Sequence, residues 1–258
     1  MTTTLRDRLW LWCHNAGVYN RIQALGDESD FTPVEAATYL GIHNLLMVVY
    51  GGKPLPPFAP IQKKFEPFDR VVWSLIGDAG SKHQDPTADL QEVLALHRQF
   101  PNVVGGIMDD FMQRSATFDL ADISRCMRAE KLPLWVVVYT HELDRPDLQE
   151  KLELCDVIAF WTWHAKHLAQ LPENMARLKA IAPRHKIALG CYLWDFGSGA
   201  TLSVDQMRFQ CDLGLQYLRD QTINDMIILG SPLVGMNLLT IDWTRDWLRQ
   251  NRDCILPG

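Results

Sequence analysis

Two adjacent aspartates, Asp109 and Asp110, close an apolar run that begins at Val103. Side chains of an extended strand point alternately to opposite sides, so only one of the two would face a site at full extension. The other would face neighbouring loops or cap the next helix. Two carboxylates in one cleft suit glycoside hydrolysis, in which one donates a proton and the other acts as nucleophile or activates water. Asp109 and Asp110 are therefore candidate catalytic residues, and the choice between them stays open.

A second cluster lies in the run 189–197, where Tyr192, Trp194 and Phe196 alternate with Leu193, Asp195 and Gly197. Sugar rings present apolar C–H faces edged by hydroxyls, so aromatic platforms with a few carboxylates suit them. Asp195 is the candidate catalytic partner of Asp109 or Asp110, with Glu142 and Glu28 in reserve. The candidate substrate-binding residues end or follow apolar runs, and they are His14, Tyr50, Tyr139, His141, Glu142, Trp161, Trp163, Tyr192 and Trp194.

The histidines leave a metal site open as an alternative. His14 and His141 could bind a metal ion together with Glu142 and one of the two adjacent aspartates. The sequence contains neither the H-x-H of amidohydrolases nor the H-E-x-x-H of zinc proteases. We therefore expect no metal.

Eight short apolar runs alternate with longer segments of helical spacing. The runs are Leu9 to His14, Leu45 to Tyr50, Arg70 to Ile76, Val103 to Asp109, Leu134 to Thr140, Val157 to Trp161, Lys186 to Trp194 and Met226 to Gly230. Helix-start patterns stand between them, at Thr32-Pro33-Val34-Glu35, Asp85-Pro86 and Ser203-Val204-Asp205-Gln206. The pattern predicts one (β/α)8 barrel domain over residues 1–258, with its site at the C-terminal rim of the strands. An open doubly wound sheet is the alternative, but no G-x-G-x-x-G follows the first strand.

Composition narrows the range of partners. The 258 residues carry a formal net charge of -6, and they contain no basic block of the kind that binds nucleic acid. No apolar run approaches the roughly 18 residues that span a bilayer, and no signal peptide is visible. We therefore expect a cytoplasmic protein that acts on a small molecule, without nucleic acid or membrane partners. The sequence does not determine the oligomeric state.

Three runs of the sequence resemble those of a known group of proteins. They are Gly106-Ile107-Met108-Asp109-Asp110-Phe111, Phe160-Trp161-Thr162-Trp163 and Leu189-Gly190-Cys191-Tyr192-Leu193-Trp194-Asp195. Together they resemble barrel proteins grouped with glycoside hydrolases, many of them bacterial proteins without an assigned substrate. The resemblance implies a (β/α)8 fold, a carbohydrate ligand, carboxylate catalysis and no organic cofactor. The sequence departs from the D-x-x-D-x-D-x-E run of chitinase-like barrels, and no Asn-Glu pair ends the fourth strand.

These observations predict a carbohydrate-active enzyme, most simply a glycoside hydrolase. Two other classes stay open. One is a metal-dependent isomerase, epimerase or lyase acting on a sugar, and the other is a non-catalytic barrel that binds carbohydrate through its aromatic rim.

Overall fold

The computed structural model describes residues 2–81, 86–114 and 118–257. Eight parallel strands form its barrel: β1 (Leu9–Cys13), β2 (Asn44–Met47), β3 (Arg70–Ile76), β4 (Val103–Met108), β5 (Leu134–Tyr139), β6 (Val157–Trp161), β7 (Lys186–Tyr192) and β10 (Asp225–Leu229). They close in the order β1-β10-β7-β6-β5-β4-β3-β2. The predicted (β/α)8 barrel is confirmed.

The helices surround the barrel. They are α1 (Leu5–Arg8), α2 (Pro33–Leu40), α3 (Ala59–Gln62), α4 (Pro86–Gln99), α5 (Phe111–Arg114), α6 (Leu120–Ala129), α7 (Leu148–Leu152), α8 (Leu171–Ile181), α9 (Val204–Arg219) and α10 (Leu239–Asn251). Short 3-10 turns lie at Gln23–Leu25, Lys63–Phe65, Thr140–Glu142, Ala165–Gln170 and Ser231–Leu233.

Local sequence explains where several helices begin. Thr32 and Ser203 form the predicted capping boxes with Glu35 and Gln206, which satisfy free backbone N–H groups at the starts of α2 and α9. Helix α4 begins at Pro86, and Asp85 of the predicted start lies outside the described residues. None of the helices in the described ranges is long and apolar enough to cross a membrane.

The seventh strand is shorter than the sequence predicts. It ends at Tyr192 rather than Trp194, and Trp194–Asp195 forms a separate strand, β8. Strand β8 pairs antiparallel with β9 (Ala200–Thr201). At the break, the Leu193 N–H donates to the Leu229 carbonyl, so the chain leaves the barrel before Trp194. This early exit decides which side chains of the run can reach the barrel mouth.

Two hydrophobic clusters follow from the alternation of side chains along the strands. One fills the space between barrel and helices, and the other fills the barrel interior. The interior contains four tryptophans in two edge-to-face pairs: Trp10 with Trp135 at a centroid distance of 5.1 Å, and Trp12 with Trp161 at 5.3 Å. The second pair, Trp12 with Trp161, can form the bottom of a site at the C-terminal end of the barrel.

Glycines on the strands make room for core side chains. A Cβ atom at Gly190 would lie 2.0 Å from Cε3 of Trp161, so the indole occupies the place of a side chain there. At Gly105 a Cβ would lie 3.1 Å from Nε1 of Trp135, and at Gly106 it would lie 2.8 Å from Cδ1 of Leu75. The two glycines before the aspartates thus accommodate neighbouring core residues.

Candidate functional site

A cavity of about 200 Å³ opens at the C-terminal end of the barrel. Its lining is mostly aromatic, with carboxylates on one side. The lining residues are Trp12, His14, Tyr19, Tyr50, Asp78, Ala79, Gly80, Asp109, Asp110, Tyr139, Trp161, Trp163, Tyr192, Phe196 and Leu229. The predicted location of the site, at the rim formed by the strand ends, therefore coincides with a real cavity.

Both adjacent aspartates line this cavity, whereas full extension would have placed only one there. The strand ends at Met108, and the Asp109 N–H still donates to the Ile76 carbonyl on β3. Asp110 then adopts a left-handed backbone conformation, with φ of +46°. The left-handed residue breaks the alternation of the strand, so two consecutive carboxylates reach one cavity.

The surroundings of Asp109 favour the protonated form of its carboxyl group. It is 7% exposed, and burial raises the pKa of its carboxyl well above the usual 3.8, with the charges of Asp110 and Asp78 raising it further. One oxygen, Oδ1, accepts a hydrogen bond of 2.9 Å from the Asp110 N–H, which opposes the rise. Within the described chain, Oδ2 makes no hydrogen bond to protein. A carboxyl group of this kind can donate a proton to a ligand.

Asp110 and Asp78 are fixed as hydrogen-bond acceptors. Oδ1 of Asp110 accepts from the Tyr139 hydroxyl at 2.9 Å, and Oδ2 accepts from the Ala79 N–H at 2.8 Å. Asp78 accepts from the N–H groups of Gly51 and Gly80, at 2.8 and 3.1 Å. These bonds tie the loops that follow β2, β3 and β4 to one another, and they hold the carboxylates of the cavity in place.

The imidazole of His14 is buried and neutral, and its hydrogen bonds define its tautomer. The Trp12 indole N–H can only donate, so Nε2 of His14 accepts it at 2.9 Å and Nδ1 carries the ring proton. Nδ1 lies 2.6 Å from the Tyr19 hydroxyl oxygen, which therefore accepts. Burial lowers the pKa of His14 to about 3, in agreement with a neutral ring. The proton of the Tyr19 hydroxyl is consequently free to point to another acceptor.

The cavity walls are formed by rings in contact with one another. Tyr50 stacks on His14 with their ring centroids 4.8 Å apart, and the ring centroids of Trp161 and Tyr192 are 4.7 Å apart. Trp163 meets the edges of Tyr139 and Tyr192 at 5.4 and 6.1 Å. Burial raises the pKa of Tyr19, Tyr139 and Tyr192 well above 10, so their hydroxyls keep their protons at neutral pH. Such a wall offers flat apolar faces and neutral O–H groups to a ligand.

A surface groove of about 510 Å³ continues from the cavity and shares Ala79, Asp110, Tyr139 and Trp163 with it. His141, which stacks on Tyr139 at 5.3 Å, lines the groove together with His164 and His167. Burial and the nearby His164 lower the pKa of His141, although Asp110 opposes the shift. Asp110 and Tyr139 therefore lie at the boundary between an inner cavity and an outer groove.

Three predicted site residues do not line the cavity or the groove. Trp194 is 2% exposed and packs in the layer between barrel and helices, because β7 ends before it. Asp195 accepts a hydrogen bond from the Ser198 N–H in the β8–β9 hairpin. Glu142 accepts from the Tyr139 N–H and closes the turn after β5. The reserve candidate Glu28 is exposed and is likewise absent from both linings.

Other lining residues escaped the sequence analysis. Trp12 stands two positions before His14 on β1, and strand alternation was the signal that could have found it. Asp78 follows β3 by two residues and lies beyond the apolar run that predicted this strand. Tyr19 lies outside the barrel strands, and only the folded chain brings it to the cavity. Phe196 belongs to the predicted aromatic cluster 189–197 but was not among the predicted site residues, and it also lines the cavity.

The residues of the metal alternative do not converge. Both ring nitrogens of His14 contact protein groups, and Glu142 is engaged by the Tyr139 backbone. The described residues contain no group of three or more His, Cys, Asp or Glu placed to hold a metal ion. The geometry gives the metal-dependent reading no support.

No protein-family model and no curated protein matches this sequence. Solved structures do match, over almost the whole chain. They include the tryptophan synthase subunit alpha from Legionella pneumophila str. Paris, with a TM-score of 0.53, 12% identity, and coverage of 96% of this chain and 94% of that one. The PgaB (BpsB) glycoside hydrolase domain from Bordetella bronchiseptica has a TM-score of 0.52 and 11% identity, with coverage of 93% and 98%. An aldolase, QR15, has a TM-score of 0.52 and 12% identity, with coverage of 97% and 98%.

These likenesses define the class of fold, a single-domain (β/α)8 barrel. At 11–12% identity they show the fold alone. The neighbours have different activities, and the same barrel supports many chemistries through its loops. The activity of this chain must therefore be argued from its own cavity.

Proposed function

We propose that this protein is a carbohydrate-active enzyme, most simply a glycoside hydrolase, whose active site is the C-terminal cavity. The observation that carries the proposal is that two adjacent carboxyl groups, those of Asp109 and Asp110, line one aromatic cavity, where burial raises the pKa of Asp109. Glycoside hydrolysis needs a carboxylic acid and a carboxylate with different affinities for the proton. The aromatic faces and neutral hydroxyls are the groups that a sugar ring recognises.

The size of the cavity points to a single sugar ring in the inner position. A volume of about 200 Å³ lies below the usual range for drug-sized ligands. The wider groove, with His141, His164 and His167, would hold the remainder of the substrate. Because Asp110 and Tyr139 line both spaces, the bond to be broken would lie across this boundary.

In the proposed reaction, Asp109 gives its proton to the leaving oxygen as the glycosidic C–O bond breaks. Asp110, held by Tyr139 and Ala79, either attacks the anomeric carbon or activates the water that does so. Water supplies the new C–O bond to the sugar. If Asp110 has attacked, Asp109 removes the remaining proton of this water and is thereby restored; if Asp110 has activated the water, Asp110 takes that proton, and exchange with solvent returns both carboxyl groups to their starting states. Tyr19 would donate its free O–H to a hydroxyl or ring oxygen of the sugar.

A screen with nitrophenyl glycosides of several neutral hexoses tests this proposal. We expect release of nitrophenol by the wild type, and loss of about 100-fold or more in Asp109→Asn or Asp110→Asn, since general acid–base catalysis contributes about 10²–10⁴-fold. Asp195→Asn is the matched control, because Asp195 lies outside the cavity lining, and we expect it to stay within a few-fold of wild type.

Two outcomes would contradict the assignment. Activity that depends on Asp195 and not on Asp109 would move the chemistry away from this cavity. The other outcome is that the protein binds sugars, as detected by quenching of tryptophan fluorescence, and hydrolyses none of the glycosides. This result would support the non-catalytic carbohydrate-binding barrel.

A further inference from the structure

A second cavity lies at the opposite, N-terminal end of the barrel. It is open to solvent and has a volume of about 640 Å³, and its wall includes the first residues of four strands, among them Arg70 of β3 and Lys186 of β7. Six cationic side chains line it, against two carboxylates, those of Asp156 and Asp225. The cations are Arg8, Arg70, Arg128, Lys131, Arg184 and Lys186. A concentration of positive charge in one cavity is unexpected in a chain of net charge -6.

Within the described ranges these six cations form no ion pair with a carboxylate, unlike most arginines of the chain. Arg70 does donate hydrogen bonds to the Asn44 side chain and the Asp7 carbonyl, and Arg128 donates to the Glu153 carbonyl. Among the described residues nine arginines form ion pairs with carboxylates, for example Arg6 with Asp253 and Arg177 with Asp144. None of the six forms such a pair within the same ranges. Among the residues that line the cavity, only two carboxylates, those of Asp156 and Asp225, oppose these six positive charges.

The two carboxylates of the cavity are occupied by structural hydrogen bonds. Asp225 accepts from the Trp10 indole N–H at 3.0 Å, and Asp156 accepts from the Leu134 N–H at 2.9 Å. Burial raises the pKa of Asp225, although the Trp10 bond and the charges of Arg70, Arg8 and Lys186 oppose this. Neither carboxylate lies within ion-pair distance of a cation in the part of the chain that the structure describes.

Helix dipoles explain only part of the cluster. Arg8 is the last residue of the four-residue helix α1. Arg128 and Lys131 lie at the end of α6 and Arg184 follows α8, where a cation stabilises the negative end of a helix. Arg70 and Lys186 are instead the first residues of β3 and β7, and a sheet has only a small net dipole. Trp135, which is 5% exposed and also lines the cavity, has an indole N–H without an acceptor among the described residues.

We propose that this N-terminal cavity binds a small polyphosphate anion, distinct in position and chemistry from the proposed sugar site. Guanidinium groups bind phosphate oxygens through paired N–H donors, and ammonium groups add point charges. The volume lies within the range of small-molecule sites, so a di- or triphosphate group fits together with part of an attached nucleoside. The shared chemistry is the polyphosphate, whether free or carried by a nucleotide.

Titration calorimetry of the full chain tests the proposal with inorganic tripolyphosphate and with ATP as probes. We expect one saturable site per chain at low salt, weakened as ionic strength rises because the charges are screened. Equal affinity for the two probes would assign recognition to the phosphates alone, and tighter ATP binding would assign part of it to the nucleoside. The double variant Arg184→Gln/Lys186→Gln should bind at least tenfold more weakly.

The matched control is Arg208→Gln, which removes an exposed, ion-paired arginine near the start of α9. It should leave the affinity for both probes unchanged. If the double variant does not fold, Arg8→Gln alone should still weaken binding, since Arg8 makes no side-chain hydrogen bond within the described chain. Absence of a saturable site, or equal binding by the double variant and the control, would overturn the proposal. Binding of single-stranded DNA without binding of tripolyphosphate would also overturn it.

Discussion

At the scale of single residues, Asp109 and Asp110 illustrate how one backbone angle changes the chemistry of a site. Their types and their position after an apolar run could be predicted from the sequence, and so could their nearness to aromatic residues. That both enter one cavity could not, because it depends on the left-handed conformation of Asp110. Asp78 and Tyr19 join them through loops whose paths depend on tertiary contacts such as the hydrogen bond that His14 donates to the Tyr19 hydroxyl.

Asp109 should make stability depend on pH. Because its pKa is raised in the folded state, the folded protein retains a proton that the unfolded chain has lost above about pH 4. The free energy of unfolding therefore falls as pH rises through this window. Asp109→Asn removes this effect. In urea or thermal unfolding, the free energy of unfolding of the variant should therefore rise relative to that of wild type from pH 5 to pH 8. Each kcal/mol corresponds to roughly 2–4 °C in Tm.

The exposed Asp205 provides the control for this experiment. Asp205→Asn should differ from wild type by nearly the same amount at each pH. An Asp109→Asn difference that is also constant with pH would mean that Asp109 titrates normally in the folded protein, and the proposed acid would lose its basis.

Tyr19→Phe should reduce kcat/KM on a responsive glycoside by about tenfold or more, which corresponds to ~1.4 kcal/mol. The ring remains to fill the buried position, but the hydroxyl that faces the cavity is lost. The variant also leaves Nδ1 of His14 without its acceptor, which should lower stability by about 1–3 kcal/mol. Tyr39→Phe removes a tyrosine hydroxyl on α2 that bonds Asp242, and it should leave kcat/KM unchanged.

At the scale of secondary-structure elements, the sequence predicted the barrel strands well because buried parallel strands are nearly continuous apolar runs. The errors lie at strand ends. The apolar run 186–194 extends past the end of β7, and the exit of the chain at Leu193 turns Trp194 into the helix layer. A strand ends where its hydrogen bonds to the neighbouring strands end, and an apolar run in the sequence does not show where that happens.

Gly190 on β7 gives a test of how an element shapes the cavity. In Gly190→Ala the new Cβ would overlap the ring of Trp161, so the indole must move. Overpacking of this kind costs about 1–3 kcal/mol, and the shift of Trp161 should also weaken binding of neutral sugars in fluorescence titrations. Gly41→Ala, in a left-handed helix end where a Cβ meets no atom within 4 Å, should cost stability through its backbone alone. Sugar affinity lost equally in both variants would contradict this role of Gly190.

At the scale of the whole molecule, the two ends of the barrel have opposite electrostatic character. The C-terminal cavity is lined by three carboxyl groups, those of Asp78, Asp109 and Asp110, and no Lys or Arg is among its lining residues. The N-terminal cavity is lined mostly by cations. The tryptophan pairs Trp10–Trp135 and Trp12–Trp161 fill the barrel between them. The fold thus separates two polar regions of opposite sign with one apolar core.

This separation predicts selectivity among substrates. A cavity that carries carboxylates without a cation should repel anionic sugars, so a neutral nitrophenyl hexoside should be hydrolysed at least about tenfold faster than the corresponding glucuronide. The ratio should shrink at high salt, where the charges are screened. Preference for the glucuronide would indicate a cation in the site that the lining does not contain.

The dependence of the rate on the leaving group tests the central claim most directly, namely that Asp109 is the acid of a glycoside-hydrolysing site. The measurement is the ratio of kcat/KM between wild type and Asp109→Asn, determined for a nitrophenyl and for a dinitrophenyl glycoside of the same sugar. A dinitrophenolate leaves without protonation, whereas a poorer leaving group needs the acid. We expect a loss of about 100-fold or more with the nitrophenyl glycoside and a much smaller loss with the dinitrophenyl glycoside. Equal losses with the two substrates would contradict the assignment of Asp109 as the proton donor.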